Sequence, residues 1–153
     1  MSISVPSDVT IINASNHILG RLASIVAKRL LAGEKIIIVN AEKTVLTGRK
    51  LSRLKEFTAY LEIVGRSNPK YGPHHPRSPD AILRHTVRGM LPRDKAKGRK
   101  AYRYLKVYTG LPSNIDNTKI QEVPNAQISE SIYRYVYLGK ISEEIGWKKE
   151  VRI

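Results

Sequence analysis

Twelve lysine and arginine side chains fall between Arg66 and Lys106, against two carboxylates, Asp80 and Asp94, for a net charge of +10. Residues 1–65 carry nine basic and five acidic side chains, and residues 109–153 carry six of each, so this one block holds most of the chain's total of +14. Guanidinium and ammonium groups at such density are suited above all to gripping phosphate oxygens. A mixed-sign run would read as a solvated face, but a single-sign block points to a polyanion, and nucleic acid is the commonest. Folding gains nothing from the excess, because a compact cation repels itself. The candidate contacts are Arg66, Lys70, His74, His75, Arg77, Arg84, Arg88, Arg93, Lys95, Lys97, Arg99, Lys100, Arg103 and Lys106.

Other chemistries find less support. The histidines are His17, His74, His75 and His85, and the adjacent pair His74-His75 cannot easily turn both rings onto one metal. Within the basic loop, stacking or phosphate contact suits them better. There is no cysteine, so no disulfide, thiolate ligand or thiol nucleophile is available. No G-x-S-x-G elbow, G-x-G-x-x-G or Walker-type loop occurs, and Glu143-Glu144 reads as a solvated helix face. No catalytic residue, metal or cofactor is expected.

The elements that must position the cations start with a short strand at Val9–Ile12. Leu19, Leu22, Ala23, Val26, Ala27, Leu30 and Leu31 then form a helical stripe, with Ser15 or Asn16 as its cap and Gly33 just past its end. Ile36-Ile37-Ile38-Val39 is apolar at every position, as strands covered on both faces are. Strand, helix and strand make a parallel βαβ unit, and hence an α/β fold. Val45-Leu46-Thr47 reads as a further strand, and Leu51, Leu54, Phe57 and Leu61 as a second amphipathic helix.

Residues 65–79 hold Gly65, Pro69, Gly72, Pro73, Pro76 and Pro79, which predicts an extended basic loop that orders on binding. Ser78-Pro79-Asp80 begins a helix that runs to about Leu91, with Arg84 and Arg88 on one side. After a basic turn, the spacing predicts another helix carrying Ala101, Leu105 and Tyr108 inward and Arg99, Arg103 and Lys106 on one outer face. Ile132–Leu138 alternates as a late strand, its Tyr133, Tyr135 and Tyr137 face reading as packing against a helix.

The length fits one domain, 1–153: a βαβ core over 1–65, the basic loop and helices over 66–108, and a neutral C-terminal region over 109–153. Neither a secretory signal nor an apolar run of membrane-spanning length is visible, which reads as soluble and intracellular.

Several segments together resemble one known family. Ile11-Ile12-Asn13-Ala14, Leu19-Gly20-Arg21-Leu22-Ala23-Ser24, Ile38-Val39-Asn40-Ala41-Glu42-Lys43 and Thr47-Gly48 are similar to the N-terminal half of the universal L-thirteen family of large-subunit ribosomal proteins. Val87-Arg88-Gly89-Met90-Leu91-Pro92 and Leu105-Lys106-Val107-Tyr108-Thr109-Gly110 resemble its signature region, and Gly72-Pro73 with Pro76-Arg77-Ser78-Pro79-Asp80 its archaeal and eukaryotic branch. The resemblance covers about residues 9–112. It implies a single α/β domain with a central, mainly parallel sheet flanked by helices. It also implies a structural constituent of the large subunit, bound to large-subunit ribosomal RNA and beside neighbouring ribosomal proteins in the cytoplasm, with no membrane and no small-molecule substrate. Carried over by motif, the RNA-facing residues are Arg84, Arg88, Arg93, Arg99, Arg103 and Lys106. Two other readings use the same sequence: a nucleotide-handling enzyme binding a mononucleotide near Asn13–Leu19, and a regulatory RNA binder outside the ribosome.

Overall fold

The computed structural model describes residues 9–65, 67–113, 115 and 120–148. Strand β1 (Val9–Asn13), helix α1 (Leu19–Leu31) and strand β2 (Lys35–Val39) form the expected unit, with β1 and β2 parallel and Ile11 opposite Ile37. The apolar stripe of α1 is buried from Leu19 to Leu30. Its C-terminus closes by two bonds, Gly33 N–H to the Leu30 carbonyl and Glu34 N–H to the Arg29 carbonyl. Gly33 supplies the left-handed φ of +101° that this closure requires. Neither Ser15 nor Asn16 caps the start; Ile18 occupies that position, without a side-chain bond. The Asn16 amide oxygen instead accepts from the Tyr137 hydroxyl.

The basic segment contributes helix α3 (Pro79–Gly89) and helix α4 (Ala96–Arg103), after helix α2 (Lys50–Glu62). Helix α4 stops earlier than its spacing predicts. Leu105–Val107 is strand β4, parallel to β2, and its ladder is continued by Ile36 N–H to the Tyr104 carbonyl and Tyr108 N–H to the Ile38 carbonyl. The reason lies outside the segment: β2 has an open edge whose N–H and C=O groups need partners, and that outweighs local helical spacing. Strand β5 (Ile120–Gln121) joins β1, giving an all-parallel sheet in the order β4-β2-β1-β5. Strands β3 (Val45–Thr47) and β6 (Tyr135–Tyr137) make a separate antiparallel ribbon, and helix α5 (Leu138–Glu144) follows directly.

Alternation along β1 and β2 divides the interior between the two sheet faces. Ile12, Ile36, Ile38 and Leu105 meet Leu22, Val26, Leu83, Val87, Ala101 and Leu138 from the helices. On the opposite face, Ile11, Ile37 and Val39 meet Ile115, with Tyr108 and Ile120 alongside. The buried residues of α1, α3, α4 and α5 thus gather on one side of the sheet. Helix α2 buries no residue fully. The late strand is shorter than Ile132–Leu138: it spans Tyr135–Tyr137, and Leu138 already opens α5. Packing of the tyrosine face against a helix is not what forms: Val136 is buried, whereas Tyr133 is 90% exposed and Tyr135 45%. Both faces of the ribbon bury an aliphatic side chain, Val45 on the side it shares with Tyr137 and Val136 on the side it shares with Leu46. No helix among the described residues is long and apolar enough to cross a membrane.

His17 fixes the turn between β1 and α1. It is fully buried, its Nδ1 lies 2.7 Å from the Ser15 carbonyl, and its Nε2 lies 3.1 Å from the Val123 amide. Those partners require the tautomer in which Nδ1–H donates and Nε2 accepts. Replacing His17 with Ala leaves a partly buried carbonyl and a partly buried amide unpaired around a void. Chemical denaturation is expected to show a loss of about 2–4 kcal/mol. A loss below about 0.5 kcal/mol would refute this structural role, since that is the scale of surface changes.

Candidate nucleic-acid interface

The cations of the basic block separate into three settings. The first is the connection between α3 and α4. Ser78 and Pro79 start α3 as expected, though the Ser78 side chain makes no cap bond. Ile82, Leu83 and Val87 anchor that helix in the core, which turns Arg84 outward. Arg88, four residues on, is half-buried. On α4, buried Ala101 and Gly98 fix the inner face, so Lys97, Arg99, Lys100 and Arg103 are exposed, as are Arg93 and Lys95 in the preceding turn. The two helices meet through Arg84, whose guanidinium carbon lies 4.9 Å from the Tyr102 ring centroid. A guanidinium stacked this way keeps its N–H edges free for phosphate.

Between the helices is a cleft of about 220 Å³ lined by Arg88, Leu91, Arg93, Gly98, Arg99 and Tyr102. It exists because α4 approaches the turn at Pro92 without a side chain between them. Lys95 N–H donates to the Pro92 carbonyl at 3.2 Å, and Gly98 and Arg99 both donate to the Lys95 carbonyl. Leu91, Gly98 and Tyr102 were not among the residues expected from sequence to make the site. A glycine inside a helix whose neighbours are mostly charged was the available signal, since such a glycine often marks a close approach.

The second setting is the loop before α3. Lys70 sits exposed in a short 3-10 turn, Pro69–Tyr71, with its N–H bonded to Asn68 Oδ1. His74 is exposed, whereas His75 is half-buried, packed edge-to-face on Tyr60 at 4.4 Å and bonded through Nε2 to the Ile63 carbonyl. His75 therefore tethers the loop to the end of α2. Arg77 lies elsewhere, against Gly146 beyond α5, where an added Cβ would come within 3.1 Å of its Nη1. Arg66 lies outside the described residues.

The third setting is Lys106, exposed on β4. Its neighbour Leu105 points into the helical side of the core, so by strand alternation Lys106 projects from the opposite face. It does not share a ridge with Arg99 and Arg103, which corrects the expectation built on a longer helix.

Among the described residues, none of the block's cations is ion-paired with a carboxylate; ion pairs elsewhere include Arg29 with Glu34, Lys50 with Glu144 and Arg53 with Glu56. The resulting field is felt at His85. Partial burial, then Arg88, Arg93, His74 and His75, all push its pKa below the ordinary 6.5. Folding therefore disfavours the imidazolium. The folded state is expected to lose stability as pH falls through 6.5 toward the lower folded value, because the unfolded chain then binds the extra proton. A bound polyanion acts in the opposite direction on the imidazolium, and NMR titration should show the His85 midpoint moving up when RNA is added. An unchanged midpoint would place the phosphates away from this side of α3.

The strand ends where an α/β enzyme would hold its substrate are already occupied by internal bonds. Asn13 Oδ1 accepts from Ser15 N–H at 3.1 Å and from Asn40 Nδ2 at 2.9 Å. Glu42 Oε2 accepts from Gly110 N–H, while Asn40 N–H donates to the Gly110 carbonyl. The amides of Ala14, Asn16, His17 and Ile18 donate to the carbonyls of Val39, Lys43, Ala14 and Ala126. With that of Ser15, the five successive amides from Ala14 to Ile18 are engaged internally.

Known proteins have similar sequences. The family model described as Ribosomal protein L13 matches residues 7–114. A protein of Methanopyrus kandleri, named large ribosomal subunit protein uL13, is 44% identical over 146 residues, covering 94% of this chain and 90% of its own length. Proteins of the same name from Archaeoglobus fulgidus and Methanosarcina barkeri are 43% and 45% identical, each over 92% of this chain and over 90% and 99% of their own lengths. This likeness extends well into residues 113–153, beyond the segments that first suggested it.

Proposed function

The chain belongs to the ribosomal protein L13 family, and we propose that it is a structural, non-catalytic constituent of the large ribosomal subunit that holds folded ribosomal RNA, mainly by its phosphates. The relatives' shared name, large ribosomal subunit protein, supports the subunit. The observation that carries the RNA contact is the set of unpaired cations on α3, α4 and the turn between them, in a block of net +10. Arg84, Arg93, Lys95, Lys97, Arg99, Lys100 and Arg103 are exposed on elements anchored in the core, which holds their spacing fixed before RNA arrives. Arg88 completes the group from the cleft wall. Lys70 and His74 extend the surface along the loop, with Arg77 and Lys106 as outlying contacts and Arg66, outside the described residues, as a further candidate, and His75 acts by holding the loop in place. The major groove of A-form RNA is too deep and narrow for side chains to read, so recognition rests on backbone shape.

In this reading the basic segment 66–108 is the RNA-binding part of one domain, which also comprises the βαβ core of 1–65 and the neutral region 109–153. Contact with neighbouring proteins, support of subunit assembly and a cytoplasmic location follow from that place in the ribosome. Sucrose-gradient sedimentation of lysate, washed with rising salt, tests the role. Co-migration with the large subunit through moderate salt is the expected result. Protein left at the top of the gradient at low salt would overturn it.

A further inference from the structure

Phosphate binding alone does not explain the cleft between α3 and α4. A phosphate needs only converging N–H groups, and the exposed arginines already supply them. Here Arg88, Arg93 and Arg99 surround a hollow whose remaining walls are Leu91, the Gly98 backbone and the Tyr102 ring. Leu91 is 5% exposed and belongs to the main core, so this wall is rigid and apolar. Arg84 stacks on Tyr102 without lining the cleft, which holds the ring in place. Apolar and aromatic walls with charge at the rim favour a flat, partly apolar ligand carrying an anion. At about 220 Å³ the space is smaller than the roughly 300 Å³ at which pockets for drug-sized molecules begin, yet equals about seven liquid-water volumes. That suits a single ring system.

Resting on the RNA-binding role above, we propose that this cleft receives one unstacked base of the bound RNA, seated against Tyr102 and Leu91 with its flanking phosphates on Arg88, Arg93 and Arg99. RNA bases in loops and bulges are free to splay out onto such surfaces and to stack on an aromatic ring. The protein thereby recognises an irregular point in the RNA as well as the shape of a helix. Tyr102 and Leu91 act here as binding residues, and the phosphate contacts around them fix the register.

NMR of the full chain separates base from phosphate. Isotope-labelled protein is titrated with AMP, UMP, ribose 5-phosphate and inorganic phosphate into the millimolar range. AMP and UMP are expected to move the Leu91 methyl and Tyr102 ring signals saturably upfield, while ribose 5-phosphate and phosphate leave Leu91 in place. Arg99→Ala, at an exposed position, should weaken the AMP response about tenfold, the scale of one charged hydrogen bond. Equal shifts from phosphate and AMP, or no movement of Leu91 and Tyr102 with any nucleotide, would overturn the base-binding cleft. The same preparation is also tested on large-subunit ribosomal RNA. Binding there with silent nucleotides sinks the cleft alone, whereas no binding sinks the RNA role itself.

Discussion

Gly98→Ala is expected to unseat α4 and abolish the cleft, although it adds a single methyl group. An ideal Cβ at Gly98 lies 2.0 Å from the Pro92 carbonyl oxygen and 2.6 Å from its carbon. Both are backbone atoms held by the bond from Lys95, so no side chain can swing aside to make room. Helix α4 must then move away from the turn, drawing Ala101 out of the core and shifting Arg99 and Tyr102. Overpacking of this kind typically costs about 1–3 kcal/mol, and a clash with fixed backbone belongs at or above the upper end. For a domain of this size, the melting temperature should fall by roughly ten degrees. Gly89→Ala is the matched control. It changes the last residue of α3, where an added Cβ meets nothing within 4 Å, and it should leave stability nearly unchanged. Equal melting temperatures for the two variants would refute the close approach.

That contrast also marks where sequence reasoning ends. Periodicity alone exposed the βαβ unit, because α1 buries one continuous stripe and β2 is apolar at every position. Gly33 was readable for the same local reason, the φ it must adopt. Leu105–Val107 was not readable, since Arg99, Arg103 and Lys106 satisfy helical spacing and only the unfilled edge of β2 selects a strand. The tyrosines show a second kind of failure: alternation gives two faces but not which positions go inward, and Val136 is buried while Tyr135 stays exposed. For the candidate site, net charge located the segment but could not separate Arg93 and Arg99 at the cleft from Arg77 beside Gly146. Tyr102 and Leu91 carried no charge signal. They become visible only once α3 and α4 are packed together.

Removing three exposed cations outside the cleft should separate affinity from stability, with opposite signs. In the triple variant Lys97→Ala, Lys100→Ala, Arg103→Ala, each side chain lost is exposed and without a carboxylate partner among the described residues. The folded protein loses no packing of consequence and sheds self-repulsion, so its stability should stay level or rise slightly. Affinity for large-subunit ribosomal RNA should fall steeply, because each of these proposed phosphate contacts releases a condensed counterion. About 1 kcal/mol per contact at moderate salt corresponds to a combined loss of roughly a hundredfold. The slope of log affinity against log salt should shrink by about two to three, counting 0.7–0.9 per phosphate contact. A structural role for these residues predicts the reverse pattern, with a lower melting temperature and an unchanged salt slope. The slope is the sharper test, since a misfolded fraction lowers apparent affinity at every salt concentration without altering the number of ions released. An unaltered slope in a fully folded triple variant would move the RNA footprint off the outer face of α4.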